Sequence, residues 1–215
     1  MNEATRARMS TDERREQLLS SGVELLARRA HGEVSIEEIA EAAGVSKGLL
    51  YHYFPTKKDF ILAALARGEA QLAERLRPDP ELSPEAQLDA SLDAFLDDVE
   101  EHASAYASIF RRDGGGDPEI AAALDSARLV RMETLLEALE GWEGAPVSTE
   151  RSAALETAVQ GWVFFVEGAV LRWLEQGGLE RPQLRAMLRS ALGGSLWAAE
   201  VAGKSRSDHA EGPRP

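Results

Sequence analysis

Apolar positions recur along this chain at i, i+3 and i+4 intervals, and the pattern predicts an all-α protein. Ser10 and Glu13 stand at capping-box spacing ahead of a helix that ends near Ala30–Gly32. Its stripe is Leu19, Gly22, Val23 and Leu26, flanked by Leu18 and Leu25. Ser35 and Glu38 repeat the signature before a two-turn helix with Ile36, Ile39, Ala40 and Ala43 on one face. Gly44 falls where the following turn needs a positive φ, and Ser46 can cap a third short helix. Thr56 and Asp59 open a fourth helix, striped by Ile61, Ala64, Leu65, Gly68 and Leu72, with Pro55 separating it from the third.

Pro78, Pro80 and Pro84 mark a linker near residues 76–83. Beyond it, helices are predicted from Ser83-Pro84 (Leu88, Leu92, Phe95, Leu96, Val99) and over Ala103–Arg112. Further helices run from Asp117-Pro118 to Glu140, from a Ser148 or Thr149 cap to Gln176, and from Pro182 to near Ala202. Residues 203–215 have no periodicity and are expected to be a disordered tail. The long helix is apolar on two sides: Leu155, Val159, Trp162, Val166 and Val170 on one, Ala158, Phe165, Ala169 and Trp173 on the other. A lone surface helix needs one such stripe. The last two helices are therefore expected to build a four-helix dimer interface, with Ala158, Ala169, Trp173, Leu184, Leu188, Ala191, Leu192 and Ser195 as contacts. A large monomer core is the alternative.

The third helix has two unlike faces. Leu49, Leu50, Tyr53 and Phe54 form an inward stripe, while Lys47, Gly48, Tyr51 and His52 look outward. A cation, a glycine and two aromatic hydrogen-bonding groups suit a helix pressed into the DNA major groove. Two short helices around a glycine turn are the helix-turn-helix arrangement, whose last helix reads base edges.

Composition narrows the classes. There is no cysteine, which excludes disulfides, thiol catalysis and thiolate metal sites. No run of 18 apolar residues occurs, so no membrane span is expected; the charged start is not a signal peptide, and a cytoplasmic, nucleoid-associated protein is expected. The net charge of −13 is unevenly spread: residues 1–60 hold nine Lys/Arg against ten Asp/Glu, the rest 15 against 27. Phosphate contacts respond to the local patch, within a Debye length of roughly 8 Å. His31, His102 and His209 read as scattered, sharing no helix spacing with carboxylates, so no metal site is expected. The segment Gly114–Gly116 lacks a Gly-Lys-Ser/Thr continuation and is no phosphate loop. Acidic stretches such as Asp97, Asp98, Glu100 and Glu101 look like solvated helix faces, and with no nucleophile–base pattern neither catalysis nor a cofactor is expected.

The run Gly44-Val-Ser-Lys-Gly-Leu-Leu-Tyr-His-Tyr-Phe-Pro-Thr-Lys-Lys-Asp59, within Arg15 to Leu65, resembles the TetR/AcrR family of bacterial repressors. That resemblance implies an all-helical homodimer with an N-terminal helix-turn-helix domain (residues 1–56) on a double-stranded DNA operator. A connecting helix (57–76) and a larger effector-binding and dimerisation domain (77–202) would follow. Lys47 is the first candidate for base contact, because a cation at that helix end can reach guanine O6 and N7. Gly48 would allow close approach, Tyr51 and His52 would reach bases or phosphates, and Tyr53 would pack its ring inward with its hydroxyl toward a phosphate. Lys57 resembles the family's phosphate-binding lysine, at a helix amino end that adds to the attraction. Ser35 and Ser46 are caps that could also touch phosphate, and Arg6 and Arg8 lie in an arm that could add non-specific attraction.

The implied function is a repressor released by a small hydrophobic effector. Phe95, Tyr106, Phe110, Trp162, Phe165 and Glu167 are the candidates for its pocket. The alternative keeps DNA binding but replaces the ligand by a protein partner, or by none.

Overall fold

The structure is a computed structural model that describes residues 10–28, 34–110, 117–142, 145 and 147–210. The side chains of residues 26–28, 108–110 and 205–210 fall outside that description, as do Arg6, Arg8 and His31 entirely. Among the described residues the regular elements are helices: α1 (Thr11–Arg28), α2 (Ile36–Ala42), α3 (Lys47–Tyr53), α4 (Lys57–Arg75), α5 (Pro84–Glu101), α6 (Ala103–Phe110), α7 (Pro118–Glu140), α8 (Ala153–Gln176) and α9 (Arg181–Ala210).

Local chemistry starts most of them. The Ser10 hydroxyl accepts from the Glu13 amide at 3.1 Å while the Glu13 carboxylate accepts from the Ser10 amide at 2.7 Å. The same reciprocal bonds join Ser35 with Glu38 and Thr56 with Asp59. Asp117 and Ser83 cap α7 and α5, each with proline in the first turn.

Helices α1 to α4 enclose one core of Leu18, Leu19, Val34, Ile36, Ile39, Ala40, Leu50, Phe54 and Phe60. Gly22 lets α1 and α4 close up: a Cβ there would sit 2.2 Å from Phe60 Cζ. Helix α4 then leaves this unit and packs on α7 through Ile61, Ile120 and Leu124. Two further cores lie among α5, α7, α8 and α9, one around Leu96, Val170 and Leu188, the other around Leu136, Val159 and Leu192.

Three expectations change. Ser152, not Ser148 or Thr149, caps α8, accepting from the Leu155 amide at 3.2 Å. The Ser148 amide instead donates to the Glu200 carboxylate at 2.6 Å, which straps the connection onto α9. Helix α9 continues to Ala210 rather than stopping near Ala202, so the expected disordered tail is helical over 203–210; residues 211–215 lie outside the described ones. One glycine lowers helix propensity by about 1 kcal/mol, too little to end a helix of this length, and Lys204 pairs with Glu200 one turn back at 2.7 Å. Finally, α8 is long and apolar enough to cross a bilayer by length and composition. Its Leu155, Val159, Val166 and Val170 are core residues of the bundle.

Candidate nucleic-acid interface

Helix α3 is held by one side and open on the other. Leu50 and Phe54 are fully buried, and the Phe54 ring meets Phe60 edge-on at 5.0 Å. Ser46 caps the helix, its hydroxyl accepting from the Leu49 amide at 3.2 Å. Gly44 in the turn has φ +65°, a conformation that strains any residue with a Cβ. This geometry fixes the angle between α2 and α3 and leaves Lys47, Gly48, Tyr51 and His52 exposed together. A Cβ on Gly48 would meet nothing within 4 Å. Tyr53 is half-buried against the core, its ring edge-on to His52 at 5.2 Å.

The electrostatics of the exposed face were only partly legible. The Lys47 ammonium is ion-paired to Glu37 in the first turn of α2 and lies 5.6 Å from the centroid of the Tyr51 ring. The Glu37 carboxylate holds Lys47 above the ordinary lysine range, and Lys47 holds Glu37 below the carboxylate range. Both groups are more than half exposed, where an ion pair is weak and screened, so Lys47 can exchange Glu37 for a guanine edge at small cost. Lys57 begins α4 and is half-buried; burial lowers its pKa, opposed by the charge of Glu38. Lys58 points elsewhere, with its ammonium 2.6 Å from Glu119 on α7. The Ser35 hydroxyl is occupied by Glu38, which makes it a cap first.

The five expected pocket residues whose side chains are described have different surroundings. Tyr106 and Glu167 do converge. Glu167 is 8% exposed and accepts from Arg128 Nε at 2.8 Å and Arg131 Nη2 at 3.1 Å. The Tyr106 phenol is buried near these charges, and burial pushes its pKa up. Phe95 meets Tyr106 edge-on at 6.3 Å. Trp162 is a joint of the bundle, its indole N–H donating to the Leu188 carbonyl at 2.9 Å. Phe165 is a correction: it is 42% exposed on the outer side of α8, because the inward stripe runs through Val163, Val166 and Val170. The Phe110 side chain lies outside the described residues. An apolar cavity of about 120 Å³ lies elsewhere, lined by Leu88, Trp142, Val147, Leu192 and Leu196 with Glu85 and Arg189. That is well below the roughly 300 Å³ of ordinary ligand pockets.

Three of the eight expected dimer contacts are overturned by their burial. Leu184, Leu188 and Leu192 are buried in the protomer's own cores, where each leucine is worth about 1.5–3 kcal/mol and cannot face a partner. Ala158, Ala169, Ala191 and Ser195 are half-buried beside them, and the Trp173 indole donates to the Leu179 carbonyl at 3.0 Å. The exposed apolar groups lie one stripe over: Phe164 and Phe165 on α8, and Met187, Trp197 and Val201 on α9, with Gly194 between them in register. Their three- and four-residue spacing was visible in the sequence, but which stripe faces outward was not.

The histidine reading also changes. His102 does share helical spacing with a carboxylate, lying one turn from Asp98 with Nδ1 3.5 Å from its Oδ1, and Glu101 is adjacent. Arg75 reaches into the same group, 3.4 Å from Asp98 and 3.0 Å from Glu101, so a guanidinium already balances the two acids.

A capped helix-turn-helix joined to a larger helical bundle is the architecture of a DNA-binding transcriptional regulator. The profile of bacterial regulatory proteins of the tetR family matches residues 18–64, and that of the tetracyclin repressor-like C-terminal domain matches residues 84–193. The chain belongs to the TetR family, a family of DNA-binding regulators and not an enzyme class. A tetR-family transcriptional regulator from Streptomyces coelicolor is 30% identical with a TM-score of 0.80, over 95% of this chain and 92% of that one. A TetR-like regulator from Rhodococcus sp. RHA1 is 26% identical with a TM-score of 0.63, over 86% and 96%. The HTH-type transcriptional activator FasR of Mycolicibacterium smegmatis is 31% identical over 117 residues, 54% of this chain. The match spans about half of FasR's own length, 53%.

Proposed function

We propose that the protein is a cytoplasmic homodimer that binds a palindromic operator through its two α3 helices, represses transcription, and is released by a small hydrophobic effector. The observation that carries this reading is the outward group of Lys47, Gly48, Tyr51 and His52 above the buried Leu50 and Phe54. Dimerisation is supported by the exposed apolar stripe on α8 and α9 that continues the helix pair out of the core. The effector would enter between α5, α6, α7 and α8, near Phe95, Tyr106 and Glu167, whose carboxylate is held by Arg128 and Arg131. Helix α4, packed on both units, transmits the change, so that the two α3 helices no longer match half-sites about 34 Å apart or a multiple of it.

Genome-wide recovery of bound DNA, followed by gel-shift titration on the recovered promoters, tests this. A symmetric site near the protein's own gene is expected, together with a ligand that raises Tm and lowers operator affinity. Enrichment without a symmetric motif would overturn the dimeric reading. A second reading, activation, is favoured by the likeness to the activator FasR over half the chain. Reporter expression that falls on deletion of the gene would select it.

A further inference from the structure

We infer that the Glu69–Arg131 pair is a positioning contact that sets α4, and through it the recognition helix, in its DNA-competent orientation. The role rests on operator binding through α3 as proposed above. Arg131 on α7 donates from Nη1 to both carboxylate oxygens of Glu69 on α4, at 2.9 and 2.8 Å, and from Nη2 to Glu167 on α8. It thereby joins three helices at one guanidinium whose side chain is 19% exposed.

The two-pronged geometry explains why the contact selects an orientation of α4. Within the bundle, the Glu167 carboxylate faces two guanidiniums, Arg128 and Arg131. Asp125 also pairs with Arg128, so this inner group is neutral by itself, and Glu69 adds a second carboxylate to Arg131 from across the α4–α7 junction. The Arg131 side chain is 19% exposed and that of Glu69 35%, so losing Glu69 leaves a partly desolvated guanidinium with Glu167 as its remaining carboxylate partner. A helical residue is rotated by about 100° relative to its neighbour, so a slip of α4 by one position carries Glu69 away from Arg131. Exposed pairs such as Arg77–Glu74, whose side chains are about 70% exposed, exert no comparable constraint. Glu69 lies three turns beyond Lys57, roughly 18 Å along the helix, so its seating also governs the tilt of the end that bears on DNA.

Hydrophobic contacts hold the other end. Ile61 packs with Ile120 and Leu124, and Lys58 pairs with Glu119. These keep α4 against α7 when the clasp opens, while the clasp decides which of the nearby settings is populated. A protein whose competent setting is only partly populated binds with an affinity reduced by that fraction.

Glu69→Gln, Arg131→Gln and the double variant would be titrated, alongside the wild type, against an operator fragment and against non-operator DNA at low ionic strength. Each single change is expected to weaken operator binding about tenfold, and the double change no more than the worse single. Non-operator binding should stay within about twofold, since its phosphate contacts survive. Arg131→Lys, which keeps the charge beside Glu167 but loses the two-pronged contact, should give an intermediate loss if Arg131→Gln does not fold. Unchanged operator affinity in Glu69→Gln overturns the inference, as do single losses that multiply in the double variant or equal losses on both DNAs. A wild type that binds neither DNA overturns the proposed function itself, and the positioning role with it.

Discussion

The ammonium of Lys47 lies 5.6 Å from the centre of the Tyr51 ring, one helical turn further along α3. The two groups therefore present a cation and an aromatic plane as one unit at the exposed face, with Glu37 holding the cation from the α2 side. Lys47→Ala is expected to weaken operator binding by about 1–3 kcal/mol and relax base preference at the contacted position. Glu37→Gln should act oppositely on non-operator DNA, strengthening it by removing a competing carboxylate. Fluorescence anisotropy on both DNAs measures the two effects; operator affinity unchanged by Lys47→Ala removes it from the base contacts.

Lys57 occupies the amino end of α4, where a phosphate would meet both its charge and the helix dipole. Lys57→Ala should weaken binding to all duplexes alike and reduce the slope of log affinity against log salt by about 0.9. An identical slope would take Lys57 off the phosphate list.

Gly22 and Gly48 should respond in opposite ways to alanine. At Gly22 the added methyl would lie 2.2 Å from the fully buried Phe60 ring, so a loss of about 1–3 kcal/mol in stability is expected by thermal melting. At Gly48 the methyl enters open space, and melting should be unchanged or slightly raised while operator binding falls.

Trp197 is 64% exposed and Leu188 fully buried, on opposite sides of α9. Trp197→Glu should leave a folded protein that sediments as a monomer, whereas Leu188→Glu should not fold. A dimeric Trp197→Glu protein would move the proposed interface elsewhere.

The Asp98 side chain raises the pKa of His102 above its ordinary value of about 6.5, against the opposing effect of burial. A raised folded-state pKa stabilises the protonated form, so the contribution is fully present below pH 6.5 and is lost as pH rises through the raised value. The Tm deficit of His102→Gln should accordingly be larger near pH 6 than near pH 8.5. Arg75 shares the Asp98 carboxylate and will temper the difference.

Helix positions along the chain were legible wherever neighbouring residues settle them. The boxes at Ser10, Ser35 and Thr56 each satisfy backbone amides within three residues, so sequence spacing alone locates them. The start of α8 differs from the expectation: the Ser148 amide donates to Glu200 on another helix, a contact that sequence spacing does not reveal. The outward face of α3 was legible for a similar reason, since apolar periodicity names Leu50 and Phe54 as the anchored side.

By itself the sequence determined the helical class, the capped three-helix unit and the exposed quartet on α3, since these depend on contacts a few residues apart. Tertiary structure alone decided which apolar stripe of α8 and α9 faces the solvent. It also decided that Glu167 serves an ion-pair cluster and that Glu69 faces Arg131. The ion pairs join residues 36 to 62 positions apart. Periodicity tells which residues of a helix share a face, but only the packing of one helix on another tells what that face meets.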